Sequence, residues 1–271
     1  MKDIRDWPQN KLESNMFTLI AGLCVLDDED ITMATAKYLR DVTRSLGIPF
    51  IFKASFDKAN RTSVDSYRGP GIDIGLNTLQ LIKDHIGVSI TTDIHIPEQA
   101  HDVAGVVDII QIPALLSRQT DLLIAAGNTG LPVNIKKGQF MSPIDIQYAV
   151  DKMYNTGNIN VMVTERGSMF GYNNIVVDYR GITIMQDYNI PVIFDATHSV
   201  QLPGGRGKES FGQTCFVAPL AKAAVAVGVD GLFLEVHPEP SKAKCDGTNS
   251  LSLDEVECLL KSLVSIRKVQ I

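Results

Sequence analysis

A repeated alternation constrains this chain more than any other feature. Short apolar, β-branched runs recur at residues 17–26, 49–55, 89–94, 106–112, 132–136, 160–165, 191–195 and 231–236. They are nearly continuous in Val, Ile, Leu and Phe, the pattern of parallel strands buried on both faces. Helical stretches lie between them, as at 30–46, 75–85, 118–128, 144–154 and 216–227. Glycine punctuates several helix-to-strand turns, at Gly47, Gly87, Gly130 and Gly228. Eight strands alternating with helices over about 250 residues predict an α/β fold, a (β/α)8 TIM barrel forming one domain over 1–271. An open, doubly wound sheet usually offers fewer strands for this length. Residues 1–13 are expected to form an N-terminal arm or a cap on the barrel floor. Residues 201–214, Gly-rich and carrying Arg206 and Lys208, are expected to form a mobile loop after the seventh strand.

Composition narrows the partners. The 271 residues hold 25 Lys+Arg against 31 Asp+Glu, a formal charge of −6. A net acidic surface disfavours nonspecific binding to nucleic acid or anionic lipid. It leaves room for an anionic small molecule in a locally basic pocket. No apolar run reaches the roughly 18 to 20 residues that span a bilayer. The first 15 residues are polar and charged, so no secretion leader is expected. Cys24, Cys215, Cys245 and Cys258 are widely spaced without a C-x-x-C pair, which predicts free thiols and a cytoplasmic setting. Two phosphate-loop look-alikes fail. Gly207-Lys208-Glu209 lacks the hydroxyl residue and has Leu202 where the first Gly belongs. Gly69-Pro70-Gly71 follows no strand directly.

In a barrel enzyme the chemistry sits at the C-terminal strand ends. Those ends are crowded here: Cys24, then Lys53 to Arg61, Asp93 and His95, Gln111, Lys136 and Lys137, Glu165 and Arg166, Asp195 and His198, and Glu235 and His237. One group is cationic: Lys53, Lys58, Lys136 and Arg166, with Arg61 and Arg118 as further candidates. Lysines among apolar neighbours are costly to bury without an anionic partner, and Arg offers a bidentate fork. This points to a substrate bearing phosphate and carboxylate. The bland alternative is internal ion pairing with Asp57, Asp93, Glu165 and Asp195.

The second group is Cys24, His198, Glu235 and Asp246. A thiolate, an imidazole and two carboxylates suit a borderline divalent ion such as Zn, Fe, Mn or Co, with a position left for water or substrate. Singly, each has an ordinary structural use: a buried Cys packs as a small hydrophobe, and a His hydrogen-bonds a neighbour. Spacing alone leaves both readings open. Cys24 as a nucleophile activated by His198 ranks lower, because the cationic pocket offers no acyl-transfer logic.

The same residues carry a family resemblance. KASFDKANRTS at 53–63, with YRGPG at 67–71, resembles the signature of 3-deoxy-D-manno-octulosonate 8-phosphate synthases. Similar matches are IQIP at 110–113, SRQTD at 117–121, NIKKGQF at 134–140, ERG at 165–167, FGY at 170–172, FDATH at 194–198, EVHP at 235–238 and KCDG at 244–247. The resemblance runs from about residue 17 to the C-terminus. It implies a (β/α)8 barrel that condenses phosphoenolpyruvate with arabinose 5-phosphate and water, releasing phosphate, for lipopolysaccharide biosynthesis. It further implies that Lys58, Lys136 and Arg166 hold phosphoenolpyruvate, with Ser55 and Gln111 beside them. Lys53, Asn60 and Asp93 would contact the arabinose chain. Arg61 and Thr62 would grip its phosphate across a subunit boundary, implying a homotetramer. Family members with Cys at the first-strand position depend on a metal, and this chain has Cys24 there. His198, Glu235 and Asp246 match the remaining ligands; His198, Asp246, Lys136 and Cys24 are the expected catalytic residues, with His198 and Asp246 relaying protons when not committed to the metal. The nearest rival is the related synthase that uses erythrose 4-phosphate, which typically has Pro where Ala59-Asn60 stand here. A rival of another class is a barrel that binds a sugar phosphate without catalysis.

Overall fold

The computed structural model describes residues 16–59, 63–204 and 211–269. Eight parallel strands close into a barrel: β1 Thr18–Gly22, β2 Phe50–Lys53, β3 Ser89–Asp93, β4 Ile109–Ile112, β5 Val133–Lys136, β6 Val161–Glu165, β7 Val192–Asp195 and β8 Gly231–Glu235. Each strand pairs with its neighbour in sequence, and β1 pairs with β8 from Thr18 opposite Gly231 to Gly22 opposite Glu235. Helices follow the strands: α1 Glu29–Leu46, α2 Ile72–Ile86, α3 Gln99–Ala104, α4 Thr120–Asn128, α5 Ile146–Tyr154, α6 Arg180–Gln186, α7 Val217–Val227 and α8 Leu253–Val269.

Two apolar layers result from the two faces of each strand. Ile20, Ile51, Ile109, Met162, Ile193 and Phe233 form one buried cluster, the packed interior of the barrel. The opposite faces, including Leu19, Phe52, Ile110, Val163 and Leu232, join the inward stripes of the helices in a second, larger cluster. In α8 that stripe is Val256, Leu259, Leu260, Leu263 and Val264, the spacing of one helix face.

Three differences from the sequence expectation have a local reason. The first strand stops at Gly22, where a Cβ would stand 2.1 Å from the Lys53 carbonyl oxygen; pairing resumes only as a bridge between Val25 and Ser55. Cys24 therefore lies in a bend beyond β1. The second helix starts at Ile72, earlier than expected, because Gly71 with φ 87° turns the chain directly into it. The segment after β7 is zipped at its base: Gln201 and Leu202 pair antiparallel with Phe211 and Gly212. Its Arg206 and Lys208 lie outside the described residues, as do the expected arm at 1–13 and the site candidates Asn60, Arg61 and Thr62.

Candidate active site

Strand alternation carries the barrel interior directly into the site. Two residues beyond interior Ile51, Ile109, Ile193 and Phe233, on the same strand faces, stand Lys53, Gln111, Asp195 and Glu235. The same step takes Thr91 to Asp93 on β3 and Asn134 to Lys136 on β5. All six of these second-step side chains are buried. All but Asp195 line a cavity of about 170 Å³, together with Lys58, Arg166 and Asp246 and with His95, Gln139 and His198.

Internal ion pairing accounts for three of the four cations. Lys136 Nζ lies 2.6 Å from Asp195 Oδ2 and 3.4 Å from the centre of the Phe233 ring. Lys53 donates to the Cys24 carbonyl at 3.1 Å and to Glu235 Oε1 at 3.3 Å. Lys53 and Lys58 each stand 3.9 Å from Asp93 Oδ2. Asp93 also accepts from the Ser55 hydroxyl and the Gln111 amide, and Gln111 in turn accepts from Asn134 at 3.1 Å. Burial alone would raise the Asp93 carboxyl. The Lys53 and Lys58 charges outweigh it and hold the group well below the usual carboxylate range. Burial pulls the Lys136 ammonium below its ordinary pKa, against the support of Asp195.

Arg166 is different. Its Nη2 donates to Gln201 Oε1 at 2.8 Å, while its buried Nε has no acceptor among the described residues. Nor does any described carboxylate lie within ion-pair distance of it. A buried guanidinium edge without an acceptor costs about 1–3 kcal/mol until an anion meets it.

The metal candidates converge, though not on a single point. His198 Nδ1 sits 2.7 Å from Asp195 Oδ2, and its Nε2 lies 3.4 Å from Glu235 Oε2 and 3.9 Å from Asp246 Oδ2. Asp195 is held well below the carboxylate range, against its burial, by His198, Lys136 and Arg166. The Asp195 contact fixes the ring through Nδ1 and turns Nε2 toward Glu235 and Asp246, the orientation of a metal-ligating histidine. Cys24 Sγ stands 3.4 Å from the other end of the set, Asp246 Oδ2. The ligand atoms thus form two groups that share Asp246: His198, Glu235 and Asp246, and Cys24, Cys245 and Asp246. The four expected ligands are joined through Asp246, with Cys24 on the bend after β1 and His198 and Glu235 at the ends of β7 and β8. A divalent ion fits this set. Glu235 Oε2 is buried with no hydrogen-bond donor among the described residues, and the His198 and Lys53 charges nearby hold the carboxyl far below its ordinary range. A bare, ionised, buried oxygen calls for a cation.

Some expectations fall away from the cavity. Arg118 is exposed and does not line it. Ser55 spends its hydroxyl on Asp93. Glu165 lies on the opposite strand face from the interior residues, 3.4 Å from Lys137, where its Oε1 accepts from the backbone of Arg166 at 2.9 Å and Gly167 at 2.5 Å. Asp57 pairs with Arg68 at 2.6 Å and with none of the cavity lysines. Sequence reading missed Cys245, Gln139 and the anchoring role of Gln201. Gln139 sits in a loop and Gln201 in a two-residue strand, both too short of periodicity to expose them.

The fold and the site define a class: a (β/α)8 barrel in which a cavity lined by lysines and an arginine abuts a set of thiol, imidazole and carboxylate donors. Residues 12–269 match the DAHP synthetase I family, and the chain belongs to it. It is 54% identical to a 2-dehydro-3-deoxyphosphooctonate aldolase of Desulfatibacillum aliphaticivorans, over 92% of each chain. It is 58% identical to one of Desulfosudis oleivorans, over 92% of this chain and 90% of the relative. A third, from Trichlorobacter lovleyi, is 52% identical over 94% and 93%.

Proposed function

We propose that this chain condenses phosphoenolpyruvate with D-arabinose 5-phosphate and water to give 3-deoxy-D-manno-octulosonate 8-phosphate and inorganic phosphate. One observation carries the reading: a single cavity is lined both by the cations Lys53, Lys58, Lys136 and Arg166 and by the donors His198, Glu235 and Asp246. The names of relatives more than 50% identical over nine-tenths of both chains agree with it.

Two polyanions must approach each other, and the cavity cations offset their repulsion and fix the attack geometry. The Arg166 Nε edge takes an oxygen of phosphoenolpyruvate, and Lys58 and Lys136 supply point charges to its phosphate and carboxylate. Lys53 and Asp93, locked in one polar network, face the sugar hydroxyls. Asn60 and the phosphate-binding roles of Arg61 and Thr62 complete the sugar site. The enol carbon attacks the sugar aldehyde, water adds at the carbon bearing phosphate, and the C–O bond to phosphate breaks. Lys136, its proton loosened by burial, stands to protonate the former aldehyde oxygen. Cys24, His198, Glu235 and Asp246 would hold a divalent ion (Zn, Fe, Mn or Co), which supplies Lewis-acid polarisation at the aldehyde or water. His198 and Asp246 relay protons where the ion does not claim them.

Exposed apolar side chains on successive βα loops support a homotetramer: Val64 after β2, Ile96 after β3, Leu115 after β4, Phe140 after β5, and Phe170 with Tyr172 after β6. A run of this kind on one end of the barrel suits a subunit interface. No helix among the described residues is long and apolar enough to cross a membrane. Four cysteines held as thiols rather than disulfides accord with a cytoplasmic setting.

The test is phosphate release from phosphoenolpyruvate with arabinose 5-phosphate, with erythrose 4-phosphate and with neither. Release driven by arabinose 5-phosphate is expected. Preference for erythrose 4-phosphate would make the chain the related synthase, and no release with either sugar would leave a binding barrel.

A further inference from the structure

We infer that Cys245 is a second thiol donor of the ion site, which makes the site thiophilic. This inference rests on the ion proposed above for Cys24, His198, Glu235 and Asp246, and adds a ligand to it. Cys245 Sγ lies 3.2 Å from Cys24 Sγ although the two are 221 residues apart in sequence, and both are buried. Two sulfurs each about 2.3 Å from one zinc stand about 3.8 Å apart at the tetrahedral angle. An opening of roughly half an ångström therefore brings both thiols onto one ion.

The backbone explains how neighbouring residues present ligands to one place. Successive side chains of an extended chain point to opposite sides. Asp246 instead has φ 49°, a left-handed conformation that a non-glycine residue adopts at a cost of roughly 1–3 kcal/mol. That turn brings the Cys245 thiol and the Asp246 carboxylate into the same group with Cys24. The conformation is locked from both sides. The Asp246 carbonyl accepts from the backbone of Asn249 at 2.9 Å and Ser250 at 3.1 Å. Lys244 ties the segment to the loop that carries Cys24, through Asp27 at 2.8 Å and Asp28 at 3.2 Å. Behind it, Gly247 packs where a Cβ would meet the Pro240 carbonyl at 2.1 Å.

The ordinary alternative is packing. Cys24, Val25 and Cys245 do form a small buried cluster, and a thiol can fill such a space as a hydrophobe. Packing alone accounts neither for a left-handed aspartate nor for sulfurs aimed at each other beside a carboxylate. With two soft donors, the site favours Zn, Fe(II) or Cd over Mn.

The experiment strips the full-length chain with a chelator and titrates it with Cd(II), reading the ultraviolet sulfur-to-metal charge-transfer absorbance at one equivalent. Cys245→Ser and Cys24→Ser should each lower that band to about half, because each removes one of two thiolates. Cys215→Ser and Cys258→Ser should leave it whole. The Zn-over-Mn affinity ratio should fall at least about tenfold in Cys245→Ser. Cys245→Ala, which adds no polar group to the buried site, serves as the folding control and should give the same halved band. A full band in both Cys245 variants overturns the inference and leaves the four-residue ion site standing. No band in the unsubstituted chain overturns the ion site and this inference together.

Discussion

Two layers of the barrel interior, one strand step apart, have opposite chemistry. The lower layer is Ile20, Ile51, Ile109, Met162, Ile193 and Phe233, apolar and sealed. The upper layer holds Lys53, Asp93, Gln111, Lys136, Asp195 and Glu235 on the same inward faces. Both are buried, and both are held by the same parallel ladders. The lower layer contributes stability by removing apolar area from water. The upper layer gives up that contribution and buries charge, which the fold tolerates through the Lys136–Asp195 and Lys53–Glu235 pairs. What remains incompletely satisfied is informative: Arg166 Nε and Glu235 Oε2, one short of an anion and the other of a cation.

Substitutions should separate the layers cleanly. The largest expected effect is on the cavity cations: Arg166→Met should lower kcat/KM by about 10³-fold while the thermal midpoint shifts by only a few degrees, since no described carboxylate is left without its partner. Steady-state phosphate release and a melting curve check both halves; a fall in the midpoint of the size seen for a core cavity would break the comparison. In the lower layer, Phe233→Ala should cost about 3–5 kcal/mol in denaturant unfolding. Because the ring also underlies Lys136, turnover should fall with it. Asp195→Asn should weaken divalent-ion affinity by about 10–100-fold, because the amide no longer fixes the tautomer and orientation of His198. Competition with a metal-sensitive dye measures this, and unchanged affinity would detach Asp195 from the ion site. The smallest effect sharpens the contrast: Ile51→Val should cost about 0.5–1.5 kcal/mol of stability and leave kcat/KM within about twofold.

The alternation of apolar runs was enough to read the barrel from the sequence, because strands buried on both faces leave an unmistakable continuous pattern. Most of the site was legible too, since Lys53, Asp93, Lys136 and Glu235 sit at strand ends. One signal went unused. Counting in twos from the interior residues separates Lys136 and Asp195, on the inward strand faces, from Glu165, which faces Lys137 on the other side. Loop residues had no such guide. Cys245 meets Cys24 only because the chain closes the barrel and Asp246 turns left-handed, neither of which local spacing encodes. Arg118 lies on the approach to α4, where a run of motif residues near a strand end did not mean a place in the cavity.

The central claim is that the upper layer works as one site, with anion-binding cations and ion ligands acting on the same reaction. Turnover of phosphoenolpyruvate with arabinose 5-phosphate, measured on the full chain before chelation, after chelation and after Zn or Mn is restored, tests it most directly. The account predicts loss of phosphate release to background on chelation and recovery on repletion. Turnover that persists undiminished in chelated, metal-free protein would contradict it.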